Sequence, residues 1–238
     1  MPIRIAAAGD IHASPTSRAD TAAAFAAVAD RADLVLLAGD LTQHGQVDEA
    51  EVVADACRGL PVPVVAVLGN HDYHSDRQAD ITAALVDAGV VVLDRSSTIL
   101  QVDGVTVGVA GVKGFVGGFG RQWANFGEPL FRQAYAETTA DVEALDTALA
   151  AIAGATVRVA LLHYAPTAET LEGEPRELWL VLGAERLATP IAEHRPDLVL
   201  HGHGHLGTFE GFIGAVPVYN VAQPVMGKDF WVFELGVD

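Results

Sequence analysis

Cysteine is almost missing from this chain: Cys57 is the single one in 238 residues. That excludes an intramolecular disulfide framework and any zinc cluster built on several thiolates. Cys57 itself is expected to be a small buried apolar residue. Basic side chains are scarce as well. Fourteen Lys+Arg stand against 31 Asp+Glu, a formal charge of −17, and only Lys113 and Lys228 are lysines. Affinity for nucleic acid rests on Lys and Arg neutralising phosphates, so no long nucleic acid is expected as a partner. An anionic membrane surface is disfavoured on the same ground. No uninterrupted apolar run approaches the ~20 residues needed to span a bilayer. Met1–Ile5 leads straight into a short apolar segment, without a charged leader before a long apolar stretch, so no signal peptide and a cytoplasmic location are expected. Internal repeats, low-complexity tails and linkers are absent too, and one domain over 1–238 is expected.

What is present is a regular alternation. Apolar runs at Ile3–Ala8, Leu34–Ala38 and Val62–Leu68 are separated by Ala-rich stretches of helical spacing, Thr16–Arg31 and Gln46–Arg58. Short strands alternating with helices indicate βαβ units and a parallel sheet. A further helix is predicted over Arg77–Asp87. The rhythm then changes to short runs at Val90–Leu93, Thr98–Val102 and Val105–Gly111, the last two split by the hairpin signal Asp103-Gly104. Lys113–Pro129 is irregular and glycine-rich, and long loops of this kind inside a domain are usually functional or mobile. Beyond it, helices are predicted over Phe131–Ile152 and Leu178–His194, an acidic loop over Thr167–Pro175, and strands at Val157–Leu162, Asp197–Leu200, Gly207–Ile213, Val216–Val221 and Phe230–Leu235.

Five apolar runs end in residues of metal-ligand type: Gly9-Asp10-Ile11-His12, Gly39-Asp40, Gly69-Asn70-His71-Asp72, His163, and His201-Gly202-His203-Gly204-His205. Ligand sites of open α/β sheets form at the carboxyl ends of the strands. Each cluster alone has an ordinary reading: a helix cap for Asp10, a turn residue for Asn70, a satisfied core histidine for His163, an adventitious tract for His201–His205. Capping does not explain why all five follow an apolar run. Asp-x-His has a two-residue period that lets both side chains face one ion. Mixed imidazole, carboxylate and amide donors suit Mn, Fe, Co or Zn better than Mg.

The ordered set Asp-x-His, Gly-Asp, Gly-Asn-His-Asp, His, Gly-His-x-His, running from Asp10 to His205, resembles the calcineurin-like metallophosphoesterase superfamily. The resemblance implies an α/β fold, a four-layer αββα sandwich of two mixed β-sheets flanked by helices, with the site at the C-terminal strand ends. It implies two divalent transition-metal ions, with Mn, Fe or Zn favoured. Asp10, His12, Asp40 and His205 would hold one, and Asp40, Asn70, His163 and His203 the other. Phosphorus would then be attacked in line by a hydroxide shared between the cations, with His71 as general acid. Two dications facing Asp10 and Asp40 would leave a local charge of about +2, so the acidity of the chain is compatible with a small phosphate ester as substrate.

The chain departs from the phosphoprotein phosphatase branch at Gly39-Asp40-Leu41-Thr42-Gln43-His44-Gly45. Gln43 stands where that branch has an aspartate paired with the catalytic histidine, and His44 where it has a phosphate-gripping arginine. Asp72 is a candidate substitute for that aspartate, and His44 and His74 are candidates either to support the centre or to lie on the surface. The remaining blocks look like the small bacterial and archaeal phosphodiesterase-type members. A phosphodiesterase is the favoured activity, with a phosphomonoesterase or a non-catalytic metal-binding scaffold as alternatives. Within the glycine-rich insertion near 113–129, Arg121 could meet a phosphate and Trp123 or Phe126 could stack on a base; the other reading has the aromatics packed inward. His201 is expected to be structural, His194 a helix-dipole partner, and Glu169, Glu172, Glu174 and Glu177 a solvated acidic face. Oligomeric state has no signature in the sequence.

Overall fold

Short apolar runs form the strands of the computed structural model, which describes residues 2–120 and 127–236, and the strands fall into two sheets. In chain order the first half runs β1 (Ile3–Ala8), α1 (Arg18–Ala29), β2 (Leu34–Ala38), α2 (Val47–Cys57), β3 (Val64–Val67), α3 (Gln78–Asp87) and β4 (Val91–Val92). The second runs β5 (Ser96–Val102), β6 (Val105–Gly111), α4 (Pro129–Ala151), β7 (Val157–Leu161), α5 (Trp179–Leu182), α6 (Ala188–His194), β8 (Leu198–His201), β9 (Glu210–Ile213), β10 (Val216–Asn220), α7 (Gln223–Met226) and β11 (Trp231–Leu235). The five-stranded sheet has the order β11-β1-β2-β3-β4, and the six-stranded sheet β5-β6-β7-β8-β10-β9. β1 to β4 are mutually parallel, as are β6, β7, β8 and β10; β11, β5 and β9 are antiparallel edges.

The period of two decides which side chains meet. In the six-stranded sheet Val107, Val109, Val159, Leu161, Leu198 and Leu200 face the other sheet and join its Leu34–Ala38 and Val64–Val67 runs in one core. The intervening Ala110, Ala160, Leu162 and Val199 face outward, onto Leu145, Leu149 and Ile152 of α4 and Ile191 of α6. Phe25 and Val28 of α1, Val52 and Val53 of α2, and Ile81 and Leu85 of α3 cover the five-stranded sheet. The result is the expected four-layer sandwich of two mixed sheets flanked by helices. Both parallel sets end on the same side of the molecule, which is what gathers the five polar clusters.

The Asp103-Gly104 signal makes the predicted hairpin: both residues have positive φ, 48° and 81°, and Val102 pairs with Val105. Two elements differ from the sequence pattern. The helix predicted over Leu178–His194 is four pieces, with 3-10 turns at Arg176–Leu178 and Glu185–Leu187 around α5 and ahead of α6. Gly183 causes the break: it is fully extended and lies on Ala165, where a Cβ would sit 2.1 Å from the Ala165 carbonyl oxygen. The glycine-rich stretch is partly tied down. Gly117 and Gly118 donate to the carbonyls of Leu180 (3.0 Å) and Gly183 (2.8 Å), and Phe119 is buried edge-on against Trp179. Arg121, Trp123 and Phe126 lie outside the described residues.

Candidate metal centre

Every expected ligand sits within a few residues of a parallel strand end. Asp10 and His12 follow β1, Asp40 follows β2, Asn70 follows β3, His163 follows β7, and His203 and His205 follow β8. Four of them hold left-handed backbone: Asp10 (φ 55°), His12 (47°), Asp40 (51°) and His203 (71°). Non-glycine residues pay a steric penalty there, and such strain persists only where the surroundings over-determine it. Backbone bonds supply the constraint. Asp10 and His12 donate to the Gly39 and Asp40 carbonyls at 3.0 Å each, and Gly202 donates to His163 at 3.1 Å.

Asp40 occupies the middle. Its Oδ1 accepts the His71 amide at 2.8 Å and lies 3.2 Å from His163 Nε2; its Oδ2 is 4.0 Å from both His12 Nε2 and His71 Nε2. Asp10 Oδ1 meets His205 Nε2 at 2.8 Å, while its carboxylate accepts the His203 amide at 2.9 and 3.1 Å. Asn70 Oδ1 is 2.9 Å from His163 Nε2. Three overlapping groups bring their ligand atoms within 4.8 Å of one another: Asp10, His12 and His205; His12, Asp40 and His71; Asp40, His163 and His203. Both ring nitrogens of His12 are buried without a hydrogen-bond partner among the described residues. A buried imidazole with two idle nitrogens costs free energy unless something engages it, and a cation coordinated beside Asp10 and Asp40 would. The donor set therefore fits divalent metal.

Backbone carbonyls orient the imidazoles. His163 Nδ1 donates to Ala38 at 2.9 Å, leaving its Nε2 toward Asp40, and His203 Nε2 donates to Val181 at 3.2 Å, with a ring nitrogen of His203 in the group of Asp40 and His163. Such outer bonds fix tautomer and ring direction in metal sites. They escape sequence reading because any residue carries a carbonyl. Burial alone would raise the Asp40 carboxyl, but the adjacent His163 imidazolium and the His71 amide hold it well below the usual carboxylate range. Burial would lower His163, yet Asp40 lifts it to about 9. His203, buried and beside that cation, falls to about 3, and burial depresses His12. The hydrogen bond to Asp10 raises His205.

The candidates around this centre divide. His71 lies at the rim, its Nδ1 donating to the Gln43 main-chain carbonyl at 2.7 Å and its Nε2 turned to Asp40. Gln43 thus supports His71, though with its backbone and not with the side chain that the sequence drew attention to. Asp72 does not reach His71: it is fully buried and accepts the amides of Gly69 (2.8 Å), Thr42 (2.8 Å) and Leu41 (3.2 Å) and the Thr42 hydroxyl (2.6 Å). His44 turns away to Glu49 at 3.0 Å, at the start of α2. His74 is exposed and lies against the His71 ring, with centroids 4.2 Å apart. His201 is buried and bonded to the Thr170 hydroxyl at 2.8 Å, and His194 pairs with Asp146 at 2.8 Å instead of serving only the helix dipole. Glu174 and Glu169 are more than a solvated face: Glu174 accepts the Leu206 amide (2.7 Å), bracing the loop that carries His203 and His205, and Glu169 accepts the Phe212 amide (2.8 Å) of β9.

Glycines let these loops touch. A Cβ on Gly69 would lie 2.1 Å from Asp40 Oδ1 and 2.3 Å from the Asp40 nitrogen; one on Gly202 would lie 2.3 Å from Asp10 Oδ2. Real Cβ atoms do not approach so closely, so Gly69→Ala must displace Asp40 or the β3 loop. The expected result is a folded protein of lowered Tm that retains less than half the wild-type metal, read by thermal melting and elemental analysis. Wild-type metal content in the variant would show that the loop yields freely.

Comparisons with known proteins bear on the fold and the family. Over its full length the chain is similar in fold to phosphopantetheinyl hydrolase from Mycobacterium tuberculosis, with a TM-score of 0.66, 14% identity and 97% of that chain covered. It is similar to the TT1561 protein of Thermus thermophilus, with a TM-score of 0.58, 17% identity, and coverage of 98% of this chain and 99% of that one. It is also similar to GAP50, the anchor in the inner membrane complex of Plasmodium, with a TM-score of 0.56, 13% identity, and coverage of 94% and 72%. At such identities the likeness shows the fold alone, and that fold carries both a hydrolase and an anchor. No curated protein matches the sequence. Residues 3–207, which include every ligand discussed above, match the family model described as calcineurin-like phosphoesterase. The chain belongs to the calcineurin-like phosphoesterase family.

Proposed function

We propose that the chain is a binuclear metal-dependent hydrolase of small phosphate esters, acting on phosphodiesters in preference to monoesters. The observation that carries this reading is the position of Asp40, whose carboxylate is shared between a group with His12 and one with His163 and His203. A carboxylate with two oxygens can serve two cations at once, and Asp10 with His205 on one flank and Asn70 on the other complete two donor sets. Divalent cations held there would polarise the phosphoryl oxygens and lower the pKa of water toward neutrality.

The chain's own groups do the rest. The amides of His71 and His203 fix the two carboxylates, so the donors are set before substrate arrives. His71 Nδ1–H is committed to the Gln43 carbonyl, which turns Nε2 toward the centre as the atom that donates a proton to the departing ester oxygen. Preference for a diester is inferred from the second block, where the described residues bring no guanidinium to the centre. Gripping the dianion of a monoester is typically the work of a guanidinium, and His44, at that group's place in the phosphatase-like pattern, is tied to Glu49. The substrate remains small because the chain carries −17 and no basic stripe for a long polyanion.

The test is hydrolysis of bis-p-nitrophenyl phosphate against p-nitrophenyl phosphate with added Mn. The expected outcome is higher kcat/KM on the diester, loss of activity on chelation and its return with Mn. Preference for the monoester would reverse the ordering. Fewer than two metal equivalents under every loading condition would refute the binuclear centre, and a fully loaded protein inert on both esters would favour a scaffold role.

A further inference from the structure

One of the two lysines is placed where no surface requires it. Lys113 lies just past β6, and its carbonyl accepts the amides of both His163 and Tyr164 at 3.0 Å. Its side chain runs the other way. Nζ lies 4.8 Å from the Phe115 ring, 5.1 Å from Tyr164 and 5.4 Å from Tyr73, with the Gly114 carbonyl, at 3.0 Å, as its hydrogen-bond acceptor. Cation–π contact with three rings partly replaces hydration. Among the described residues no carboxylate comes within 4.0 Å of Nζ, although Asp94, Glu137 and Asp141 lie in its neighbourhood. Arg95 takes the last two: its Nε donates to Asp141 at 2.6 Å and its Nη2 pairs with Glu137. Among the described residues this ammonium is without a counter-charge in contact, although Asp94 lines the same cavity.

Lys113 also lines a cavity of about 410 Å³. Leu68, Val92 and Leu93 give it apolar walls, Tyr73 a ring face, and Gln78, Thr82, Ala79 and Asp94 the remainder. The Gln78 Oε1 is buried and has no donor among the described residues. The volume lies in the range of small-molecule sites, which pair apolar walls with a few convergent polar groups. Two such groups converge here: a cation with no carboxylate within 4.0 Å and an acceptor with no donor, both among the described residues. Tyr164, 5% exposed, touches both neighbourhoods: its ring meets the Lys113 ammonium at 5.1 Å and the His203 ring at 4.5 Å between centroids. Among the described residues, no candidate metal ligand lines the cavity.

We propose that this cavity is a second, non-catalytic binding site for a small organic anion that has an apolar body and an N–H or O–H donor. The anionic group would meet Lys113 Nζ, the donor Gln78 Oε1, and the body the Leu68–Leu93 wall. Because the chain holds only two lysines, occupancy can be read residue by residue.

N-acetyl-L-tryptophan carries all three features, and N-acetyl-L-tryptophanamide keeps the body and donors without the charge. Calorimetric titration of the metal-loaded protein is expected to show one saturable site for the acid, at least about tenfold tighter than for the amide, which is ~1.4 kcal/mol. Lys113→Met, which keeps the aliphatic stem, should erase the difference, and Lys228→Met should not. Acetylation with a soluble activated ester, mapped by peptide mass, should slow at Lys113 and not at Lys228 when the acid is present. If Lys113→Met fails to fold, Ala79→Trp at the exposed edge of the cavity provides the same loss of binding. Equal affinity for acid and amide, unaltered binding in Lys113→Met or Ala79→Trp, or no saturable binding tighter than about 10 mM would overturn the proposal.

Discussion

Replacing His71 by alanine is expected to lower kcat on a phosphodiester by about 10²–10⁴-fold, the usual range for losing a positioned proton donor. Metal content should stay at the wild-type level. The geometry allows a competing role, since His71 Nε2 lies 4.0 Å from Asp40 Oδ2, in one group with His12. A ligand and a proton donor are told apart by two readouts. Elemental analysis of His71→Ala should match wild type; parallel loss of metal and turnover would make His71 a ligand. The second readout is the leaving group. A p-nitrophenolate departs with little need of a proton, whereas an alkoxide does not, so the variant should lose more activity on an alkyl ester than on bis-p-nitrophenyl phosphate. Equal losses on both would remove His71 as the acid. Gln43→Ala should remain within a few-fold of wild type, because the bond to His71 comes from the main-chain carbonyl at that position.

That last contrast shows what the sequence could and could not convey. The candidate ligands were legible as a set because each of the five blocks follows an apolar run, and the parallel strands of the two sheets bring those blocks together. Short apolar runs carried the strands, and Asp103-Gly104 the hairpin register. The support of the site was not legible, since it runs through main-chain atoms: the Ala38, Val181 and Gln43 carbonyls and the His71 and His203 amides. Side-chain identity at those positions carries no trace of such bonds. The broken helix after Leu178 escaped for a related reason. Gly183 is excluded from a helix by the approach of Ala165, a contact far away in the chain that local periodicity does not encode. Glu174 and Asp72 were visible as acids, but their partners are amides brought in by the fold.

Asp72→Ala is expected to cost more stability than any other single change near the centre. Its carboxylate is fully buried, and each oxygen receives two donors: Oδ1 the amide and hydroxyl of Thr42, Oδ2 the amides of Gly69 and Leu41. Burial pushes the carboxyl up, and those donors pull it back. They come from the turns after β2 and β3, so Asp72 clamps the loop of Asp40 to the loop of Asn70 and His71. A stranded buried donor costs roughly 1–3 kcal/mol, and with four stranded and partial relief by entering water the expected loss is about 3–6 kcal/mol. For a chain of this size each kcal/mol moves Tm by about 2–4 °C, so Tm should fall by roughly 6–24 °C. Asp72→Asn should recover only part of this, because its NH₂ group points a donor at donors. The sequence pattern alone suggested another outcome, with Asp72 as the charge behind His71, and that arrangement has a different signature: reduced kcat at unchanged Tm. In the clamp, by contrast, the Tm loss comes first, and metal affinity declines with it as Asp40 and Asn70 drift apart. A Tm within about 2 °C of wild type, less than 1 kcal/mol, would show that water replaces the carboxylate and that the two loops hold their spacing without it.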